Sequence, residues 1–170
     1  MDSASAQRPL SARALLRWQF RVAHELLEAA IERHTAETFL RCPTGTAVSP
    51  GACYAQVVLC EDLSVNGVLG AGTPLALSTW IGRTGVSEIP SLTDPASWLP
   101  WARRVRLDVG QLRSYARAVY ASTDGYLAAL RDDALERPPE EMPACVLNGL
   151  LLTLSMRRGE IACLHAFDGQ

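Results

Sequence analysis

Between Ser11 and Ile31 the chain repeats apolar residues at steps of three and four. Leu15, Leu16, Phe20, Val22, Ala23, Leu26, Leu27, Ala30 and Ile31 fall on one broad arc, with Arg17, Arg21, His24, Glu25, Glu28 and Glu32 on the polar side. This period predicts a helix packed on one face and solvated on the other, capped by Ser11. Gln19 and His34 fall inside the apolar arc, where polar groups need partners.

A second helix is predicted from Ser49 as N-cap and Pro50 at the first helical position. It continues through Val57, Val58, Leu59, Leu63 and Val65 and stops near Gly67 or Gly70. Its near-continuous apolar run predicts burial on more than one side. A strand would account for Val57–Leu59 alone but not for the length and the caps.

From Gly70 to Leu107 lies a long connection rich in Gly, Pro, Ser and Thr that carries Trp80, Trp98 and Trp101. Connections of this length are often functional, and the tryptophans predict that it packs back over an open end of the bundle, as a lid would. A third helix begins near Asp108 and shows Leu112, Tyr115, Ala116, Val119, Thr123, Tyr126, Leu127 and Leu130 on one face. Pro138–Pro139 marks a break, and a fourth helix starts near Pro143 and runs to about His165. Four helices with a long middle crossover predict an all-α four-helix bundle in a single domain over residues 1–170, with residues 1–10 flexible.

Composition narrows the function. All sixteen basic residues are arginine and the net charge is −2, so no basic surface points to nucleic acid. The arginine, alanine and leucine usage points to a GC-rich bacterial genome. Five scattered cysteines (Cys42, Cys53, Cys60, Cys145, Cys163) with no C-x-x-C pair predict neither a disulfide scaffold nor a cysteine zinc site. Met1–Pro9 is polar and no apolar run is long enough to cross a bilayer, so neither a signal peptide nor a membrane span is expected, and a cytoplasmic location is.

The stretch Tyr54–Asp62 with Val65-Asn66, the run Leu112–Tyr120 within Asp108–Leu130, and Gly159-Glu160-Ile161-Ala162-Cys163-Leu164 resemble, in order and spacing, the second, third and fourth helices of DinB/YfiT-like proteins. The resemblance implies a four-helix bundle with a metal at one end. Its ligands would be one histidine five residues before the Glu-Asp pair and two at H-x-x-x-H spacing before Gly-Glu-Ile. Residues at i and i+4 share a helix face and can converge on one ion. The corresponding positions here are Gln56, Thr153 and Arg157. Gln and Thr offer weak neutral oxygens, and a guanidinium has no lone pair to donate, so no metal and no cofactor are expected. His24, His34 and His165 are too dispersed to rebuild a site, and Cys60 with Glu61 gives a poor set.

Some relatives in that family are thiol S-transferases or isomerases. Without the metal, three readings remain. The first is a metal-independent enzyme acting on a small organic molecule by isomerisation, cyclisation or elimination. Gln56, Thr153 and Arg157 would be its catalytic groups, with Arg157 holding an anionic or polarised group. Cys60, Glu61, Gln19, Tyr115 and Tyr126 would line the ligand site, and Glu61, Asp62, Tyr115 or Tyr126 could exchange protons. The second reading is a non-catalytic binding protein that keeps the cleft, and the third a metal-dependent thiol transferase with unusual ligands. Glu61 or Asp62 is the expected carboxylate partner of Arg157 if no ligand anion fills that role. Cys53 and Cys60 read as small buried hydrophobes, and Glu160 as structural. No membrane partner is expected, and homodimerisation is left open.

Overall fold

The computed structural model describes residues 11–43, 48–91, 94–135 and 143–167. The predicted flexible start at residues 1–10 and the Pro138–Pro139 break lie outside them. Among the described residues six α-helices are formed: α1 (Ala12–Ile31), α2 (Ala36–Leu40), α3 (Pro50–Asp62), α4 (Trp98–Ala102), α5 (Val109–Ala129) and α6 (Pro143–Phe167). Among the described residues the extended pairing is one isolated antiparallel bridge, Val86 with Leu107.

The helix starts follow from the caps. The side chains of Ser11, Ser49 and Asp108 each accept the backbone N–H three residues on, at Ala14, Ala52 and Gln111. Thr35 does the same for the short α2, which the apolar pattern does not announce. The four long helices α1, α3, α5 and α6 form the bundle. α1 packs on α5 and α6, and α3 packs on the same two, so α1 and α3 occupy one diagonal.

The core is built from Leu27, Leu59, Leu112, Leu127, Leu147, Leu154 and Ile161 with Phe39, Tyr54 and Trp101. Each such apolar side chain contributes roughly 1.5–3 kcal/mol by burial. α3 is enclosed along almost its whole length, as its apolar run predicts. Gly51 is part of the reason, because a Cβ there would press on Leu107, Phe39 and the Phe39 carbonyl.

On α1 the broad arc resolves into two stripes. Phe20, His24, Leu27 and Ile31 are buried, whereas Leu15, Trp18 and Leu26 are exposed. His24 therefore sits on the core face and not on the polar side. Its steps of four from Phe20 and three to Leu27 give the reason, because they define one helical seam.

α3 runs into a π-helical segment, Leu63–Leu69, closed by Gly70 N–H donating to Val65 O (2.8 Å). Asn66 in this wide turn donates to Asp62 (2.8 Å) and accepts the Ser122 hydroxyl of α5 (2.5 Å). The crossover that follows is more ordered than a bare loop: it holds short 3₁₀ turns at Leu75–Leu77 and Pro95–Ser97 and the helix α4. As predicted, it packs back on the bundle. Trp101 is fully buried with its indole N–H on Glu88 O (2.8 Å), and Trp80 lies against Tyr115. Gly85 takes φ +78, and a Cβ there would collide with the Leu112 amide; its carbonyl accepts the Asp108 N–H (2.8 Å) at the start of α5.

Candidate functional site

Glu61 and Asp62, at the end of α3, are both fully buried. A carboxylate removed from water costs several kcal/mol unless donors surround it, and the two solve this differently. Asp62 accepts four hydrogen bonds: the amides of Leu75 and Ala76 (2.8 Å each), Asn66 Nδ2 (2.8 Å) and the Tyr115 hydroxyl (2.6 Å). These partners come from α3's own extension, the crossover and α5, so Asp62 ties the crossover to the bundle.

Glu61 points across the diagonal to α1. Both its oxygens lie 3.0 Å from His24 Nε2, and Oε1 also accepts the Thr123 hydroxyl at 2.5 Å. With Glu61 ionised, Nε2 carries the proton and Nδ1 the lone pair. No described residue hydrogen-bonds Nδ1, and it is not sealed from solvent. The imidazole stacks on Tyr120 at 3.9 Å and 18°, and Phe20 lies tilted beside it at 5.9 Å.

Tyr120 is fixed in turn. Its hydroxyl donates to Glu28 Oε1 (3.1 Å), which also accepts Tyr54 (2.6 Å), while Arg113 holds Oε2 (3.1 Å). Burial, with nearby Tyr54 and Glu28, drives the Tyr120 phenol well above its ordinary range, so it stays protonated and acts as a donor.

His24 opens on a cleft of about 400 Å3 between α1 and α5, with Phe20 and Tyr120 as its apolar walls. Arg17 grips Asp124 of α5 through two bonds, 2.9 and 2.7 Å, along its edge, and this guanidinium holds the Asp124 carboxyl below the usual range. Arg21 and Glu25 complete the rim. The arrangement is a shallow organic-sized cleft with one oriented imidazole at its base.

The residues singled out from the sequence divide between this region and others. Glu61 is in the His24 pair, and Tyr115 serves Asp62. Gln56 is half-buried on α3 between Cys53 and Cys60, which follow one another along one face at steps of three and four. Arg157 of α6 lies close enough to both thiols for its charge to favour their thiolates, so Gln56 and Arg157 share the α3–α6 side. Burial outweighs that charge, pushing Cys60 up to about 11 and, with help from Glu160, Cys53 up to about 12. Both are thiols at neutral pH, in keeping with their reading as small apolar residues.

The carboxylate on Arg157 is Glu160 at 2.5 Å, and neither Glu61 nor Asp62. Those two point to the other side of α3, whereas Glu160 lies one turn along the same helix. Thr153, one turn before Arg157, donates its hydroxyl to Gly149 O (2.9 Å). Gln19 lines a groove between α1 and α6, and Tyr126 is half-buried with its phenol raised by burial. A metal at Gln56, Thr153 and Arg157 would meet a hydroxyl bonded to its own helix and an ion-paired guanidinium, so these side chains do not fit one.

His24, Thr123 and Tyr120 were not foreseen as a site. The available signal was the Phe20–His24–Leu27–Ile31 spacing, which puts a histidine in a core seam and so demands a buried partner.

No family model matches this chain, and no curated protein matches it. Among solved structures, the crystal structure of a conserved protein from Enterococcus faecalis shares the fold: TM-score 0.80 at 18% identity, over 95% of this chain and 100% of that one.

Proposed function

We propose that the chain is a metal-independent enzyme that acts on a small organic molecule by general acid–base chemistry, with His24 as the proton-transfer group. The observation that carries this reading is the Glu61 carboxylate, buried and equidistant from His24 Nε2 at 3.0 Å, behind a ring that lines an open cleft. A carboxylate so placed fixes the tautomer and stabilises the imidazolium that forms when Nδ1 takes a proton. Thr123 and Tyr120 hold the pair in register, and Phe20 and Tyr120 offer flat apolar walls to a substrate.

Proton removal and return at two positions of one molecule gives an isomerisation, and loss of a leaving group after removal gives an elimination. Neither needs a bound metal. The order and spacing of the DinB/YfiT-like segments, together with the bundle, support placing the chain beside that family as a member working without its metal. The functional cleft then lies on the α1–α5 side of α3, opposite Gln56 and Arg157.

The test is solvent exchange. Mixtures of small carbon acids incubated with the protein in D2O and excess chelator should show deuterium entering at least one compound by NMR, and the exchange should vanish in His24→Gln. Exchange or turnover that persists unchanged in His24→Gln would remove His24 from the chemistry. A compound held by the wild type with neither exchange nor turnover would favour the binding-protein reading.

A further inference from the structure

We infer that Glu28 is a positioning residue of the His24 site: by anchoring Tyr120 it holds the phenol ring flat against the imidazole and thereby sets the direction of Nδ1. This role presupposes the proton transfer proposed for His24. The apolar period of α1 puts Glu28 on the side predicted to be solvated, yet its side chain is only 22% exposed and its oxygens are taken by donors from α3 and α5.

Glu28 and His24 are four residues apart on α1, so they share a face one turn from each other. Around them the same three helices meet twice. One polar layer joins His24 of α1, Glu61 of α3 and Thr123 of α5. The next joins Glu28 of α1, Tyr54 of α3, and Tyr120 and Arg113 of α5. In this second layer Oε1 of Glu28 receives both phenols, at 2.6 Å from Tyr54 and 3.1 Å from Tyr120, while Oε2 receives Arg113 Nη2 at 3.1 Å. The same Nη2 reaches Glu32 at 3.1 Å, which ties the clamp back to α1. Burial, chiefly, keeps both phenols protonated, so they are donors and the carboxylate is a fixed acceptor.

The bond to Glu61 leaves His24 one freedom. Both Glu61 oxygens meet the imidazole at the single atom Nε2. A ring held at one nitrogen can still twist about the line through that bond, and the twist swings Nδ1 and its lone pair across the cleft. Phe20 does not arrest it, since that ring lies tilted at 58° and 5.9 Å. Tyr120 does, because it stacks at 3.9 Å and 18° and a twisting imidazole would drive into the phenol face. The stack restrains His24 only while Tyr120 is itself fixed, and its hydroxyl is held in the second layer by Glu28. A reacting atom misplaced by about 1 Å can cost on the order of 100-fold in rate, so a residue that touches no substrate can govern turnover.

The test reads the ring first and the rate second. In proton NMR of the full chain, the His24 ring signals, assigned by their absence from His24→Gln, should lie upfield of ordinary histidine positions because they sit over the Tyr120 face. Glu28→Ala should lose most of that displacement while the amide spectrum stays dispersed. Glu28→Gln, whose amide oxygen still accepts from the phenols, should keep it. Tyr120→Phe cuts the same link but leaves Glu28 with Tyr54 and Arg113, so it should move the His24 signals as Glu28→Ala does and decides the matter if Glu28→Ala does not fold. With a substrate found by deuterium exchange, Glu28→Ala and Tyr120→Phe should lower kcat about 10-fold or more with KM little changed, and Glu28→Gln should recover most of the loss. His24 signals at ordinary positions in the wild type, or unmoved in Glu28→Ala and Tyr120→Phe, overturn the inference. A lost stack with undiminished kcat overturns it equally. Failure of the proton-transfer reading looks different: exchange or turnover persists in His24→Gln while the His24 signals of the other variants move as expected.

Discussion

Glu61 and Asp62 are neighbours in sequence, equally buried, and opposite in use. Asp62 is saturated by four donors, two of them backbone amides that no side-chain change can remove. Glu61 is met by one hydroxyl and one imidazole, and that imidazole reaches a cleft. A carboxylate closed off by backbone holds a fold together. One whose burial depends on a titratable side chain at the surface of a cleft can take part in moving a proton. The one-residue step along α3 turns the side chains by about 100°, which aims one carboxylate at the crossover and the other at α1.

Asp62→Ala tests the structural half of the contrast and should have the largest effect. It orphans two amides and a buried phenol, and chemical denaturation should show a loss of about 3 kcal/mol or more. A loss below about 1 kcal/mol would mean the crossover is anchored elsewhere.

Glu61→Gln tests the other half. The amide keeps the shape and can still accept from His24, so stability should fall by only about 1–2 kcal/mol. Turnover of any substrate found by the exchange screen should fall about 100-fold or more. Equal damage to stability and none to turnover would make Glu61 a second Asp62.

Thr123→Val removes one hydroxyl from Glu61 and should cost about 1 kcal/mol in denaturation, with a smaller loss of turnover. Arg157→Ala removes a half-exposed pair and should change stability by less than about 1 kcal/mol, leaving turnover intact. A marked loss of turnover would move the working site to the α3–α6 side.

Alkaline pH provides a softer probe of the polar core. Cys53 and Cys60 are raised in the fold from 9.0 to about 12 and about 11, chiefly by burial, and Tyr54, Tyr115 and Tyr120 are raised in the same direction. The unfolded chain releases these protons first. Stability should therefore be flat with respect to these groups below about pH 9 and decline as pH rises through the folded values. A midpoint in denaturant that does not move between neutral pH and about pH 10.5 would contradict the enclosure of these groups.

Much of the bundle was legible in the chain because its signals are local. Ser11, Ser49 with Pro50, and Asp108 mark helix starts by the chemistry of orphan amides, and the apolar periods fix the lengths. α2 and α4 left little trace, since five residues are too few to establish a period. Gln56, Thr153 and Arg157 were legible as positions, because helix register follows from spacing. The pairing of Arg157 with Glu160 in place of Glu61 or Asp62 depends on which way side chains leave two different helices, and that requires the packed structure. His24 was misplaced for an instructive reason: the exposed Leu15 and Leu26 widened the apparent apolar arc of α1 and shifted its centre away from the true seam.

The π-helical segment at Leu63–Leu69 carries a lesson about how such a chain can change over generations. A wide turn of this kind differs from ordinary helix by a single additional residue. Deleting a codon from Leu63 to Val65 would draw Asn66 one position closer to Asp62 along the chain and disturb its present alignment with Asp62 and Ser122. The four long helices would keep their cores, but the crossover would lose its alignment with the bundle. A one-residue deletion here, like loss of Asp62, is thus an event by which relatives of this fold could abandon a pinned crossover.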